Sequence, residues 1–202
     1  MYTINKNIKN ELIIKNSRFI TLLIKIKTKD EIESILKEVK STYPKATHYC
    51  YAYKIEKNIQ KSSDDGEPAG TAGIPILNVL EKENITNVIA IVIRYFGGIK
   101  LGAGGLVRAY TKSVKQAIDQ TERRKLIPAI IGTITFPYTK EKETDHLIAK
   151  DQILEKKYFE NITYRVIIEK NSNLINQLQI KPQAETYIEQ NINKGAVTKL
   201  ND

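Results

Sequence analysis

Three groups of residues in this chain have the types and spacing to do chemistry. The first is Asp64, Asp65 and Glu67 in "SDDGEPAGTAG" (63–73). Carboxylates this close can hold a hard cation or serve as acid and base. Yet Asp-Gly and Glu-Pro are ordinary turn dipeptides, and adjacent Asp side chains need not converge. A turn whose carboxylates pair with a nearby arginine, or cap the next helix, uses the same residues without catalysis. No catalytic residue is assigned; were the chain an enzyme, Asp64, Asp65 and Glu67 would be its acids.

The second group is His48 and Cys50 in "ATHYCYAYKIE" (46–56). Two apart on a strand, they point the same way, as zinc ligands or a thiol–imidazole pair do. Only His146 and the acidic loop remain as further ligands, and there is no Cys-x-x-Cys. The reading is a small buried Cys beside a hydrogen-bonded His, with no metal and no cofactor.

The third is "RYFGGIKLGAGGLVRAY" (94–110). Eight of the ten glycines fall between Gly66 and Gly105, five of them between Gly97 and Gly105. A buried strand, a glycine-rich turn and a helix N-terminus together present unpaired backbone N–H groups and the helix dipole to an anion. The expected phosphate or nucleic-acid contacts are the backbone at Gly97, Gly98, Gly102, Gly104 and Gly105. Charged donors are Arg94, Lys100 and Arg108, with Lys112 and Lys115 extending the basic helix face. The segment lacks the Gly-Lys-Ser/Thr ending of a P-loop and the spaced Gly-x-Gly-x-x-Gly fingerprint. The competing reading is a tight strand-to-helix crossover with close packing.

Charge favours the anion. From Asn84 to Ile118 there are five bases (Arg94, Lys100, Arg108, Lys112, Lys115) and no acid. The total of +9 carries less weight, because a surplus of Lys with abundant Ile and Asn looks like base-composition bias. If Arg94 or Arg108 pairs with the acidic loop, part of the basic patch is neutralised internally. Apolar runs reach only the length of "NVIAIVI" (87–93), too short for a membrane helix. With one cysteine and no apolar signal core at the start, a cytoplasmic protein with no membrane contact is expected.

Around these groups the periodicities predict the elements. Residues 11–27 read as one bent strand or two, and 28–44 as a helix capped by Thr28 or Asp30. A strand follows at 46–56, with Tyr49, Tyr51 and Tyr53 on one face. A short helix with Thr71 as a possible cap precedes the doubly buried strand "TNVIAIVIRYF" (86–96). The helix after the glycines carries Val107, Tyr110, Val114, Ala117 and Ile118 as its apolar stripe. "ERRKLIP" marks a boundary near residue 123. Beyond it lie a strand (129–138), a helix capped by Thr139, two strands turning at Glu160–Asn161, and helices at 172–179 and 183–194. Gly195 is expected as a C-cap before a last strand at 196–200. The order is a ferredoxin-like split βαβ. The fold class is therefore α+β with two domains, 1–124 and 125–202.

"DDGEPAGTAGIPIL" (64–77) and "RYFGGIKLGAGGLVRAY" (94–110), with "SRFI" (17–20) and "HYCYAY" (48–53) in the same order, resemble the Impact/YigZ family. The second domain is similar to the C-terminal domain of YigZ-type bacterial members in position and element order. The resemblance implies an Impact domain with the left-handed βαβ topology known from a small-subunit ribosomal protein and from domain four of elongation factor G. It implies a second domain like domain five of that factor. No enzymatic chemistry is established for the family, and eukaryotic members act in translational control by binding a regulator of a stress-responsive kinase. The leading expectation is a cytosolic protein associated with RNA or the ribosome. The alternatives are a small-molecule or nucleotide-binding enzyme using Asp64–Glu67, and a protein-interaction module in translational control.

Overall fold

Lys15 and Asn16 adopt φ of 44° and 64°, the two left-handed residues of a tight hairpin turn. In the computed structural model, which describes residues 1–56, 58–192 and the backbone of 197–198, this turn splits the stretch 11–27 into two strands. A short β1 (Tyr2–Ile4) comes first, then β2 (Ile8–Ile14) and β3 (Ser17–Lys25), paired antiparallel from Ile8↔Leu23 to Ile14↔Ser17.

Helix α1 (Glu31–Thr42) follows. Its expected caps, Thr28 and Asp30, make no side-chain cap bond. The Glu31 carboxylate instead folds back and accepts from the Lys27 and Thr28 N–H groups at 2.7 and 2.6 Å. Next come β4 (His48–Ile55), β5 (Ile59–Ser63), α2 (Gly73–Lys82), β6 (Val88–Tyr95) and α3 (Ala103–Asp119). The sheet runs β2-β3-β6-β4-β5, antiparallel throughout.

Central β6 is buried from Val88 to Arg94 because helices cover both faces. Ile20, Ile89, Ile91 and Ile93 pack with Ile32 and Val39 of α1, and Tyr49, Tyr51 and Tyr53 join this side. Tyr53 is therefore a core residue, and Tyr49 and Tyr51 pack against that core partly buried. On the other side Phe19, Cys50, Ala52 and Val92 meet Ile76 and Leu80 of α2 and Leu106, Tyr110 and Val114 of α3. Val107, expected in that stripe, is 37% exposed, and Leu106 takes its place. Each such fully buried aliphatic contributes roughly 1.5–3 kcal/mol over an exposed one.

The chain divides into two compact units, Met1–Arg124 and Lys125–Asp202. The second holds most of β7 (Arg123–Phe136), then α4 (Glu141–Leu147), β8 (Ile153–Tyr158), β9 (Ile162–Glu169), α5 (Leu174–Gln177), β10 (Lys181–Asn191) and β11 (Val197–Thr198). Its order β11-β10-β7-β9-β8 places the four main strands as fourth, first, third and second, the ferredoxin-like arrangement. With the sheet of the first unit, this makes a two-domain α+β protein.

Three expectations change here. The strand read at 129–138 starts earlier, at Arg123 within "ERRKLIP", and ends at Phe136; Pro128 fits because β7–β9 pairing begins one residue later, at Ala129↔Glu169. Thr139 lies inside a 3₁₀ turn (Tyr138–Lys140) and caps nothing. Residues 183–191, expected as helix, form β10. The open edge of β7 needs a partner strand, and that tertiary demand overrides the helix preference of Ala184, Glu185 and Gln190. Gly132 admits the approach: a Cβ there would lie 2.6 Å from Ile180 Cγ2 and 2.8 Å from the Lys181 carbonyl oxygen. Gly195 lies outside the described residues.

Candidate functional site

The acidic loop enters from β5 and ends at α2, whose first turn lacks a local cap. Asp64 supplies one. Its Oδ1 accepts from the Ala72 and Gly73 N–H groups at 2.9 and 2.7 Å, and its Oδ2 from Gly70 at 2.8 Å. Thr71, the expected cap, donates its hydroxyl backwards to the Pro68 carbonyl at 2.7 Å. Gly73 must lack a side chain because a Cβ would lie 2.7 Å from the Ser63 backbone.

Burial works against the Asp64 charge, but the three N–H donors outweigh it and hold the carboxyl below its usual range. A group with a depressed folded pKa stabilises above its unfolded value, near pH 3.9, and loses that contribution as pH falls through the folded value. Asp64→Asn keeps one acceptor oxygen but loses the charge and turns an NH2 toward an N–H donor, and is therefore expected to lower stability at neutral pH by about 1–2 kcal/mol. The deficit should shrink below about pH 4, which urea titrations from pH 7 to pH 2.5 would follow; a constant deficit would contradict the capping role.

Asp65, at φ 43°, turns its carboxylate onto the Tyr49 N–H at 2.7 Å and its carbonyl onto His48 Nδ1 at 2.8 Å. A carbonyl only accepts, so Nδ1 carries the proton of this bond, and Nε2 faces Glu67 Oε2 at 3.9 Å. Glu67 points inward with its side chain 3% exposed. Its Oε1 accepts from Arg94 Nη1 at 2.5 Å and from the Tyr110 hydroxyl at 2.8 Å. Arg94 is itself 5% exposed, reaches Ser17 Oγ at 3.4 Å and lies against the rings of Phe19 and Phe96.

The three acids thus do not converge. Asp64 caps, Asp65 bends the loop, and Glu67 neutralises a buried arginine. Among the described residues no cluster of three His, Cys, Asp or Glu is placed to hold a metal ion. Arg94, expected as a phosphate donor, is committed to Glu67 instead, because a guanidinium at the end of the doubly buried β6 requires a counter-charge.

Cys50 is fully buried, its Sγ 2.9 Å from the Asp64 carbonyl oxygen and 3.3 Å from the Tyr110 hydroxyl. Burial pushes the thiol up to about 12 and the Tyr110 phenol well above its usual value. Neither is a nucleophile near neutral pH.

The glycines divide by role. Gly97 is sterically required, since a Cβ would lie 2.0 Å from Asn16 C and 2.3 Å from Ser17 N, and its N–H donates to Ser17 Oγ at 3.2 Å. Gly98 and Gly102 have open space around them and are needed for φ of 83° and 71°. Gly102 begins α3, whose Leu106 N–H makes a helical bond to the Gly102 carbonyl at 2.9 Å. No side chain caps this end. The N–H groups of Ala103, Gly104 and Gly105 lie in the first turn, where a helix offers them no partner.

Lys100, Arg108 and Lys112 are exposed and have no ion-pair partner among the described residues, whereas Lys115 is bound by Asp119 and Glu83. Sequence reasoning missed Tyr110 and Ser17 as polar partners of this site. Tyr110 sits at a core position of α3, and Ser17 begins a strand; neither has a local signal for its distant partner.

A model of the Impact N-terminal domain family matches residues 15–118. The chain is 36% identical over 206 residues to the IMPACT family member YvyE of Bacillus subtilis, with 95% of each chain covered. It is 39% identical over 129 residues to YigZ of Escherichia coli, covering 62% of this chain and 63% of that one. Among solved structures, the crystal structure of a hypothetical protein superposes with a TM-score of 0.66 at 29% identity, covering 91% of this chain and 96% of the other.

Proposed function

Because this chain belongs to the Impact family, we propose that it acts in translation regulation by binding RNA or the ribosome. The phosphate contacts are the N-terminal turn of α3, Lys100, Arg108 and Lys112. One observation carries the reading: the nearby acids are used up inside the fold. Glu67 is spent on Arg94 and Asp64 on the start of α2. The surface bases beside the uncapped helix end therefore keep their charge for an external anion. Exposed Phe96 (47%) and Ile99 (45%) border the same loop and give a base an apolar plate. Contacts of this type neutralise phosphates and carry little sequence preference.

No helix among the described residues is long and apolar enough to cross a membrane. The enzyme alternative loses its acids to structural duties. The same exposed Phe96 and Ile99 favour a second reading, in which an acidic protein segment docks on the loop.

The test is co-sedimentation with ribosomes and binding to structured RNA across a salt series. Arg108→Glu with Lys112→Glu is expected to weaken binding at all sequences and to reduce the salt slope by about 2, one for each lost phosphate contact. Undiminished binding by the double variant would move the contact elsewhere. Absence of salt-dependent binding by the unmodified protein would end the RNA reading and leave the protein-docking one.

A further inference from the structure

Strand β8 ends the sheet of the second unit: among the described residues it pairs with β9 and with no other strand. Every residue from Leu154 to Tyr158 is exposed. The side of its backbone turned away from β9 therefore offers N–H and C=O groups that a further strand can use. Such edges are ordinarily guarded by charge, lysine above all. Here the guards are neutralised within the chain. Lys156 Nζ lies 2.8 Å from Asp145 Oδ1 on α4 and 4.3 Å from the centre of the Tyr164 ring. Lys157 Nζ lies 3.3 Å from Glu155 Oε1.

Apolar side chains stand at both ends of the strand. Leu154 is the extra residue of a bulge, since Ile153 opposes Val166 and Glu155 opposes the adjacent Arg165. At the other end Tyr158 is exposed and Phe159 is 74% exposed. Tyr138 lies beside Tyr158, with ring centroids 6.3 Å apart, and its hydroxyl holds the Phe159 carbonyl at 2.8 Å.

The strand is also complementary to itself. Laid antiparallel on a second copy about Lys156, "LEKKY" (154–158) sets Glu155 against the second copy's Lys157 twice, and Leu154 against its Tyr158 twice. Opposite charges and aliphatic–aromatic pairs directly across an antiparallel ladder are each stabilising. The two copies of Lys156 meet at the axis, but each is held by its own Asp145 and Tyr164. Paired residues share a face of the sheet, so the neighbouring symmetric registers centre on Glu155 or on Lys157. Each of those sets an exposed charge against its own copy.

We infer that β8 is a dimerisation edge, at which two copies pair through antiparallel β8 strands about Lys156 and join the sheets of their second units into one. The occupant is a second copy of this chain because the charges and the apolar ends of the edge match their own reverse. A closed two-fold contact of this kind uses the same patch on both copies. A single short strand per copy buries little area, so the dimer is expected to be weak and concentration-dependent. The inference is independent of the phosphate contacts proposed above.

Sedimentation velocity of the full chain over a concentration series tests it. Glu155→Lys and Lys157→Glu each set like charges across both ladder pairs. Each variant alone is expected to associate roughly tenfold more weakly, because two pairs turn from attraction to repulsion. Both positions are exposed, so each variant should remain folded, which its melting temperature checks. Mixed in equal amounts, the two variants again place opposite charges across the edge. The mixture should recover the association of the unmodified chain as a heterodimer, a result that a merely misfolded variant cannot give.

A monomer at every concentration would overturn the inference and leave the edge for a strand of another protein. Unchanged association of both single variants would overturn the assignment to β8. Weakened single variants that do not recover on mixing would overturn the register about Lys156.

Discussion

Replacing Gly97 by alanine is expected to destabilise the first domain by about 3 kcal/mol or more, among the largest effects available to a single methyl group. The new Cβ would sit 2.0 Å from Asn16 C, 2.2 Å from Asn16 O and 2.3 Å from Ser17 N. All three are backbone atoms at the end of a hairpin held in seven-residue register from Ile8↔Leu23 to Ile14↔Ser17, so no side chain can rotate away to relieve the clash. Either the Lys15–Asn16 turn or the exit of β6 must move. Moving the exit of β6 would disturb the Gly97 N–H bond to Ser17 and the Phe96 N–H bond to Thr47 Oγ1. Gly98→Ala is the control. It meets no atom within 4 Å and suffers only from its φ of 83°, a penalty of roughly 1 kcal/mol. Urea denaturation of the two variants side by side checks the ranking. Equal losses would mean that conformation, not close approach, explains both glycines.

The second large effect is expected at the Glu67–Arg94 pair. Arg94→Met leaves the Glu67 carboxylate buried with the Tyr110 hydroxyl at 2.8 Å and the His48 ring at 3.9 Å, and Glu67→Gln leaves the buried guanidinium without a counter-charge. Each single change should cost about 3–5 kcal/mol, because breaking a buried pair strands a desolvated charge. The double variant Arg94→Met/Glu67→Gln removes both charges and should recover at least half of the summed loss. A neutral, packed replacement of a buried pair is often nearly as stable as the pair. The double-mutant cycle, from urea midpoints at pH 7, reads the coupling directly. Additive losses would show that the two residues act through separate neighbours, against the 2.5 Å contact between them.

Much of the first domain was legible locally. An unbroken apolar run of strand length identified β6, and the period of α3 separated Tyr110 and Val114 from Arg108 and Lys112. Alternation along β4 put the tyrosines on one face and Cys50 on the other. Where one local signal competed with a distant one, the reading failed. Residues 183–191 carry good helix formers, yet the unpaired edge of β7 claims them as a strand.

The site divides along the same line. A basic, glycine-rich strand-to-helix crossover behind a tight acidic turn is a local feature, because composition and spacing over ten to twenty residues decide it. Which charges survive at the surface depends on contacts made across the fold. Arg94 and Glu67 are 27 residues apart, Tyr110 and Glu67 are 43, and Arg94 and Ser17 are 77. No periodicity carries information over those separations. Burial at the end of β6 forced Arg94 to find an acid and the loop between β5 and α2 placed Glu67 within its reach, which left Lys100, Arg108 and Lys112 as the bases of this segment facing water.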